Sequence, residues 1–272
     1  NSGHFDVSRA QTVGVDLQIL SLFSSERDGN RALEDILLQI DYYEQEIMSC
    51  GGLAYSVRCF NDIDENIGRG KVGLMLHLEG AEALGTKMSN LRTLYRLGVR
   101  SVGLTWNNRN FLADGVRDSA GGGGLTKWGR EVIAEMNCLG MLVDLAHISP
   151  PGFFDAIEVA EKPLVVSHAN SFNICNHPRN LSDEQLRILA QADGVVGVTF
   201  VPEFISGPEA SIKELVAHVN HMLDIMGDDH VAFGSDFDGT ENTVVKDVGS
   251  FPLLIEELGK QGLSATQIDK LL

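Results

Sequence analysis

Short apolar runs alternate with longer segments of helical periodicity along the whole chain. Several of these runs are continuously apolar, which is typical of strands that are covered on both faces of a sheet. Strong strands are predicted at residues 13–23, 72–78, 101–105, 141–145, 164–167, 195–200 and 231–234, with a small accessory strand at 55–58. This alternation of strands and helices predicts βαβ units and a parallel sheet.

The segments between the strands carry apolar residues at helical spacing. Amphipathic helices are predicted at residues 30–48, 89–97, 125–138, 183–192 and 212–226. In the last of these, one apolar stripe runs from Ile212 through Leu215 and Val219 to Met226. Since no low-complexity linker or repeat divides the sequence, residues 1–272 are predicted to form a single domain.

The composition is that of an ordinary globular protein, with 43% hydrophobic and 22% charged residues among 272. The 38 acidic residues outnumber the 21 basic ones and give a net charge of −17, so nucleic acid and anionic membranes are not expected as partners. The sequence shows neither an apolar run long enough to span a bilayer nor a signal peptide pattern. The four cysteines are dispersed without a C-x-x-C pair, which predicts a reducing, cytoplasmic setting.

Side chains that could bind a metal follow four of the predicted strands at their carboxyl ends. They are Glu79, His147, His168 and Asp236. In a (β/α) barrel these strand ends meet at one mouth, so residues that are distant in sequence become neighbours there. Imidazole and carboxylate groups are suitable ligands for Zn²⁺, which keeps a position open for water in catalytic sites. One histidine at a strand end is more often structural, but four such positions together favour a metal centre.

The other histidines are weaker candidates for the site. His77 lies two residues before Glu79, so both side chains are predicted to point into the barrel, with His77 as an interior neighbour of the metal. His218 and His221 lie on the flank of an outer helix and are predicted to be solvated. His177 lies in a loop, where it could line the pocket or belong to the surface.

Seven short motifs occur in order over nearly the whole chain, at the ends of the predicted strands and in the loops that follow them. They are Leu78-Glu79-Gly80, Leu104-Thr105-Trp106-Asn107, Ala113-Asp114-Gly115, Asp144-Leu145-Ala146-His147, Ser167-His168, Arg179-Asn180 and Gly234-Ser235-Asp236-Phe237-Asp238-Gly239. Each motif is weak alone, but as a set they resemble the renal (membrane) dipeptidase family of zinc metallopeptidases, and its bacterial members in particular.

The resemblance implies an α/β fold of the amidohydrolase kind, a (β/α)8 TIM-type barrel that holds two zinc ions. Glu79 would bridge the two metals, and His147 and His168 would bind one of them. Asp236 would face the substrate, and Arg179 would pair with the terminal carboxylate of a dipeptide. The implied activity is hydrolysis of small dipeptides by a metal-activated water, with Glu79 and Asp236 as the catalytic residues.

Two other functions remain open at the level of the sequence. One is a related amidohydrolase that acts on another small amide, a lactam or an N-acyl amino acid. The other is a catalytically inactive, metal-poor barrel that serves as a binding or assembly subunit. The implied partner is a dipeptide substrate, and a homodimer is one of the oligomeric states left open.

The sequence departs from the family pattern in the Leu-Thr-Trp-Asn motif. Animal members carry a substrate-contacting histidine where this sequence has Trp106. Asn107, Asn108 or Arg109 could take the place of that histidine, and Asn107 is the substrate-binding candidate among them.

A second departure concerns the family's first strand, whose His-x-Asp pair supplies ligands to the other zinc. His4-Phe5-Asp6 has the same pattern, but it directly precedes segment 13–23, which resembles the second strand of the family. A closed barrel of this type has eight strands, whereas seven are predicted here. We therefore expect that His4 and Asp6 are not ligands, that the chain is a fragment lacking the first strand, and that it binds zero or one zinc.

Overall fold

The structure is a computed structural model that describes residues 3–272. These residues group into two compact units. One unit consists of residues 14–162, and the other consists of residues 163–272 together with the described N-terminal residues up to Val13. The single-domain organisation that the sequence suggested stays a prediction.

Eight strands and eleven α-helices form within residues 3–272. The strands are β1 (Leu17–Phe23), β2 (Ala54–Ser56), β3 (Val72–Glu79), β4 (Val99–Gly103), β5 (Leu142–Asp144), β6 (Val165–Ala169), β7 (Val195–Val198) and β8 (Val231–Phe233). The helices are α1 (Val7–Thr12), α2 (Gly29–Ser49), α3 (Phe60–Asp64), α4 (Met88–Arg96), α5 (Lys127–Leu139), α6 (Pro150–Val159), α7 (Asp183–Gln191), α8 (Pro202–Ile205), α9 (Ile212–Met226), α10 (Phe251–Lys260) and α11 (Ala265–Leu271).

The predicted strands are confirmed, including the accessory strand, which is β2. The largest difference is at β1, which begins at Leu17 rather than at Val13. Val13 caps the short helix α1, and Gly14 follows with a φ of 82°, so the backbone turns before the strand starts. A hydrophobic pattern alone does not distinguish this helix end from an earlier start of the strand.

In the unit of residues 14–162, β3 is the central strand. It pairs in parallel with β1, β2 and β4, and β4 pairs in parallel with β5. Every residue of β3 from Val72 to Leu78 is buried, and only Glu79 at its carboxyl end is partly exposed. The β1 register continues to Phe23 opposite Glu79, and Leu22 is the buried residue of β1.

Helix α5 shows how local sequence sets the ends of the elements in this unit. The Thr126 side chain accepts a hydrogen bond from the Gly129 amide at the start of the helix, and Gly140 ends it in a left-handed conformation. These are the usual devices that satisfy the unpaired backbone groups of a helix. The first residues of β5 therefore follow directly after a defined helix end.

In the other unit, β7 pairs in parallel with both β6 and β8. Helix α9 buries the predicted apolar stripe from Leu215 to Met226, while Ile212 is half-buried. The N-cap Ser211 and Glu214 form a capping box at the start of the helix. The prediction that His218 is solvated is wrong, because its side chain on α9 is fully buried. Its Nδ1 accepts a hydrogen bond from the Ser171 amide at 3.1 Å, and its Nε2 donates to the Ile205 carbonyl at 2.9 Å.

The four cysteines, Cys50, Cys59, Cys138 and Cys175, are all present as free thiols. Among the described residues, every helix is too short or too polar to cross a bilayer.

Candidate metal centre

Glu79 is the last residue of β3, at the end of a fully buried strand. Gly80 follows with a φ of 84°, a left-handed conformation that glycine adopts without steric cost, so the chain turns away directly behind the carboxylate. The Glu79 Oε1 atom lies 3.1 Å from Nε2 of His147. The sequence-predicted pair of carboxylate and imidazole is therefore in direct contact.

His147 follows β5, and its backbone has a conformation that is unusual for a residue other than glycine. Its φ is 67°, in the left-handed region, and its side chain is buried. The Nδ1 atom lies 2.8 Å from Oδ1 of Asn107, and the carbonyl oxygen accepts a hydrogen bond from the Val116 amide at 2.8 Å. The orientation of the imidazole is thus fixed by one contact to the ring and by one hydrogen bond to the backbone of His147.

His168 lies within β6 and is buried. Its Nδ1 atom is 2.9 Å from the hydroxyl oxygen of Ser167, and its carbonyl oxygen accepts a hydrogen bond from Nη2 of Arg179 at 3.3 Å. The Nδ1 side of this ring is therefore in contact with a neighbour, as it is in His147.

Glu79, His147 and His168 each offer one ligand atom, and these atoms all lie within 4.8 Å of one another. Two imidazoles and one carboxylate make a donor set that suits zinc, which uses three protein ligands in catalytic sites. The donor set also has the partners that hold the rings in place, which metal-binding histidines commonly have. The residues present therefore fit a zinc ion.

Asp236 follows β8 in a tight turn of the other unit. It is half-buried and has a φ of 60°, and its carbonyl oxygen accepts a hydrogen bond from the Gly239 amide at 3.2 Å. The turn is held from the N-terminal side, since the amides of His4 and Phe5 donate to the Asp238 carboxylate at 2.7 and 3.2 Å. The role of Asp236 toward a substrate stays a prediction.

Arg179 is buried, and its guanidinium lies 5.6 Å from the centre of the Phe204 ring. The His177 ring stacks on the same Phe204 ring at 4.4 Å, and burial, followed by the charge of Arg179, lowers the pKa of His177. His177 therefore packs beside Arg179 as part of the local framework. The role of Arg179 as a clamp for a carboxylate stays a prediction.

His77 is buried within the unit of residues 14–162, as predicted for an interior neighbour of the site. Its Nδ1 atom lies 3.0 Å from the Ser101 hydroxyl, and its Nε2 atom lies 3.3 Å from Oδ2 of Asp144. The other carboxylate oxygen of Asp144 accepts a hydrogen bond from the Ala146 amide, immediately before His147. This polar cluster connects three neighbouring strands, β3, β4 and β5, below the candidate ligands.

Asn107 and Trp106 both contact His147. Asn107, the substrate-binding candidate, uses its side-chain oxygen on the imidazole. Trp106 packs against Phe23 with ring centres 5.1 Å apart and against the His147 ring at 6.0 Å, while Arg117 lies over it at 5.6 Å. The position that holds a histidine in animal family members is therefore an apolar wall beside a candidate ligand.

His4 and Asp6 have other partners. His4 Nδ1 accepts a hydrogen bond from the Asp238 amide at 3.1 Å. Asp6 caps α1 through the Arg9 amide and pairs with the Arg9 side chain at 2.6 Å, and these hydrogen bonds lower the pKa of Asp6. That neither residue is a metal ligand stays a prediction.

Sequence reasoning overlooked Glu82, which lies in a single 3₁₀ turn three residues after Glu79. Glu79 and Glu82 line one shallow, open depression together with Ser24 and Gly80. Burial raises the pKa of Glu82. A second acidic residue three positions after the strand-end Glu79 was the available signal.

Comparison with known proteins gives the family. A family model described as membrane dipeptidase matches residues 1–272. The chain belongs to the membrane dipeptidase family. That membership places it among the hydrolases of peptide bonds and confirms the resemblance that the strand-end motifs indicated.

Two sequence relatives illustrate the relationship. The chain is 32% identical over 260 residues to dipeptidase verJ of Clonostachys rogersoniana, which covers 94% of this chain and 65% of that protein. It is 37% identical over 212 residues to an uncharacterized protein in the pqqA 5′ region of Klebsiella pneumoniae, covering 74% of this chain and 78% of the relative. The chain thus spans about two thirds to four fifths of the length of these relatives.

Solved structures show the same fold. A metallopeptidase named dipeptidase AC superposes with a TM-score of 0.93 at 26% identity, covering 100% of this chain and 86% of its own. A metallopeptidase from Rhodobacter sphaeroides, liganded with a phosphinate mimic of the dipeptide L-Ala-D-Ala, has a TM-score of 0.91 at 26% identity, covering 100% and 88%. The α/β fold with a curled parallel sheet of the amidohydrolase TIM type is thereby confirmed.

Proposed function

We propose that the chain is a zinc-dependent dipeptidase that hydrolyses small dipeptides, with one zinc ion held by Glu79, His147 and His168. The observation that carries the proposal is the grouping of these three donor atoms within 4.8 Å. Family membership supports the reaction class, and the dipeptide mimic bound by the R. sphaeroides relative supports the substrate class.

Zinc, when bound, supplies a Lewis acid and lowers the pKa of a water molecule toward 7. The protein would hold the metal-ligand atoms of Glu79, His147 and His168 in position for the metal. Asn107 contacts Nδ1 of His147 and Ser167 contacts Nδ1 of His168, so Nε2 is the nitrogen through which each ring would bind the metal. The Glu79 carboxylate lies at the end of a strand whose other residues are all buried.

Two further residues are proposed to bind the ends of the substrate. A buried guanidinium such as that of Arg179 has the planar shape that pairs with a carboxylate through two hydrogen bonds, which would fix the C-terminal end of a dipeptide. Asp236 would hold the free amino group or pass a proton to the leaving nitrogen. A charged group for each end limits the substrate to about two residues.

The test begins with metal removal. The protein is treated with a chelator, dialysed and titrated with Zn²⁺ while bound zinc and dipeptide turnover are measured. We expect turnover to disappear with the metal and to return with zinc. Glu79→Ala and His168→Ala should each lose zinc affinity, whereas Glu256→Ala, which removes an exposed carboxylate from α10, should bind as the wild type does.

Three results would contradict the proposal. They are a chain that binds no zinc, zinc binding that survives Glu79→Ala and His168→Ala unchanged, and turnover of N-acyl amino acids or lactams in preference to dipeptides. The last result would favour the related amidohydrolase instead.

The Arg179 assignment has its own test. Arg179→Lys keeps the charge but loses the paired donors, so KM should rise more for a free dipeptide than for the same dipeptide amide, which offers no carboxylate. An equal effect on both substrates would remove Arg179 from the substrate site.

A further inference from the structure

The segment that connects β4 to α5, residues 104–126, contacts His147 at two places. From the side chain, Oδ1 of Asn107 lies 2.8 Å from Nδ1 of the imidazole. From the backbone, the Val116 amide donates to the His147 carbonyl at 2.8 Å. Since the Arg117 amide also donates to the Asn107 carbonyl at 2.9 Å, the two contacts are tied to each other within the segment.

This double contact explains how His147 keeps its left-handed backbone. A φ of 67° is unfavourable for a residue with a β-carbon, at a cost on the order of 1–3 kcal/mol, and persists only where the surrounding structure imposes it. The hydrogen bonds from Val116 and to Asn107 are the constraints on each side of that residue. The direction of the ring is thus decided by the neighbouring segment and not by the local preference of His147.

The atom that faces the imidazole decides its tautomer. A carboxamide oxygen can only accept a hydrogen bond, so Nδ1 of His147 must carry the proton. The other ring nitrogen, Nε2, lies 3.1 Å from Oε1 of Glu79, on the side where the candidate ligand atoms group, so with Nδ1 protonated it is the nitrogen that can offer a lone pair to a metal. If the amide were turned over, its NH₂ group would donate to Nδ1 and the proton would move to Nε2.

We infer that Asn107 is a positioning residue that holds His147 in the Nδ1-protonated form and aims its Nε2 atom at the metal position. This inference rests on the proposed role of His147 as a ligand. It assigns Asn107 a role different from the substrate contact that the sequence suggested. In metal sites, the partner of a ligating histidine is typically worth 10- to 100-fold in metal affinity.

The first measurement is zinc affinity by competition with a chromophoric chelator. Asn107→Leu keeps the approximate side-chain size but removes the acceptor, and we expect zinc affinity to fall by about 10- to 100-fold. Asn107→Asp restores an acceptor at the same place and should recover affinity to the wild-type level or above. Should the leucine variant fail to fold, Asn107→Ala carries the same expectation.

Asn137→Leu serves as the matched control. Asn137 lies on α5, and its side-chain amide has no hydrogen-bond partner among residues 3–272. The same chemical change there should leave zinc affinity unchanged. Loss of affinity in Asn107→Leu without rescue by Asn107→Asp would overturn the inference, because it would indicate a general disturbance of the segment.

The second measurement needs no metal and no turnover. Long-range ¹H–¹⁵N correlation spectra of the metal-free protein report which ring nitrogen of a histidine carries the proton, and His147→Gln identifies the signal. We expect a proton on Nδ1 in the wild type and, in Asn107→Leu, a shift toward the form that is protonated at Nε2 alone. An unchanged tautomer in Asn107→Leu would overturn the inference.

The two levels of the proposal fail in different ways. If the wild type binds no zinc, or if His147→Gln does not weaken zinc binding, the ligand assignment itself is wrong. If His147→Gln weakens binding but Asn107→Leu does not, the ligand assignment stands and the role of Asn107 is wrong.

Discussion

Replacing Gly115 by alanine tests how tightly the segment that contacts His147 is packed. The backbone at Gly115 has a φ of −82°, which alanine adopts freely, so any effect must come from the added β-carbon. An alanine Cβ would lie only 2.5 Å from the carbonyl carbon and oxygen of Asn107 and from the carbonyl oxygen of Trp106. Ordinary contacts start at 3.4 Å, so about 0.9 Å of additional separation is needed.

The expected cost follows from this separation. The three atoms are backbone atoms and cannot rotate away, so the Trp106–Asn107 peptide must move. Overpacking of this kind costs about 1–3 kcal/mol. For a chain of this size that corresponds to a decrease in Tm on the order of 2–10 °C. A movement of this size would also stretch the 2.8 Å contact between Asn107 and His147 toward the limit of a hydrogen bond.

The assay combines thermal unfolding of the metal-free protein with zinc affinity measured by chelator competition. Gly115→Ala should lower both Tm and zinc affinity. Gly121→Ala is the control in the same segment, because its Cβ would meet only the flexible end of Arg109, at 3.5 Å. A Gly115→Ala variant with the Tm and zinc affinity of the wild type would refute the argument that this close approach orients His147.

Two further predictions concern stability away from the candidate ligands. Burial lowers the pKa of His218 in the folded protein, so the unfolded chain takes up a proton at this residue more readily. The stability linked to His218 should therefore be complete above its unfolded pKa of about 6.5 and should decline as the pH falls below that value. Urea unfolding from pH 7.5 to 5 should show this loss in the wild type and a smaller loss in His218→Gln, and equal losses would contradict it. Asn137→Leu should stabilise the protein by about 1 kcal/mol, because it removes a buried amide without a partner, and an unchanged or lower Tm would contradict this.

The positions of the candidate ligands could be predicted because they follow from strand periodicity. Glu79 and His168 lie at or near the ends of β3 and β6, and His147 follows β5, where a parallel sheet places its functional residues. β3 combines a run of buried residues from Val72 to Leu78, which marks a core strand, with a carboxylate at its end, which marks a candidate site residue. The family motifs contain the same strand-end residues, so they give no separate information about where these residues lie in the fold.

The burial of His218 could be predicted in part from its position in the sequence. It lies three residues after Leu215 and four before Met222, on the buried stripe of α9, but its polar side chain suggested a solvated flank. Its hydrogen-bond partners, Ser171 and Ile205, are 47 and 13 residues away in sequence. A buried imidazole is tolerated only when both nitrogens are satisfied, and that depends on how the loops pack.

The role of Asn107 could not be read from the sequence for a similar reason. Its partner His147 is 40 residues away, and the contact forms because residues 104–126 fold back so that Val116 reaches the His147 backbone. Spacing along the chain predicts which residues share a strand end. It does not predict which of them binds the substrate and which one holds a neighbour in place.

Backbone conformation adds an argument about how the chain builds this site. Among residues 3–272, four residues other than glycine have a positive φ, and two of them are His147 and Asp236. Glycine would relieve the strain at either position but would remove the side chain on which the proposed chemistry depends. The strain must therefore be offset by nearby contacts, which are the Val116 hydrogen bond at His147 and the Gly239 hydrogen bond at Asp236. It follows that the sequence outside the ligands, above all the residues that make these contacts, limits where a metal and a substrate can be held.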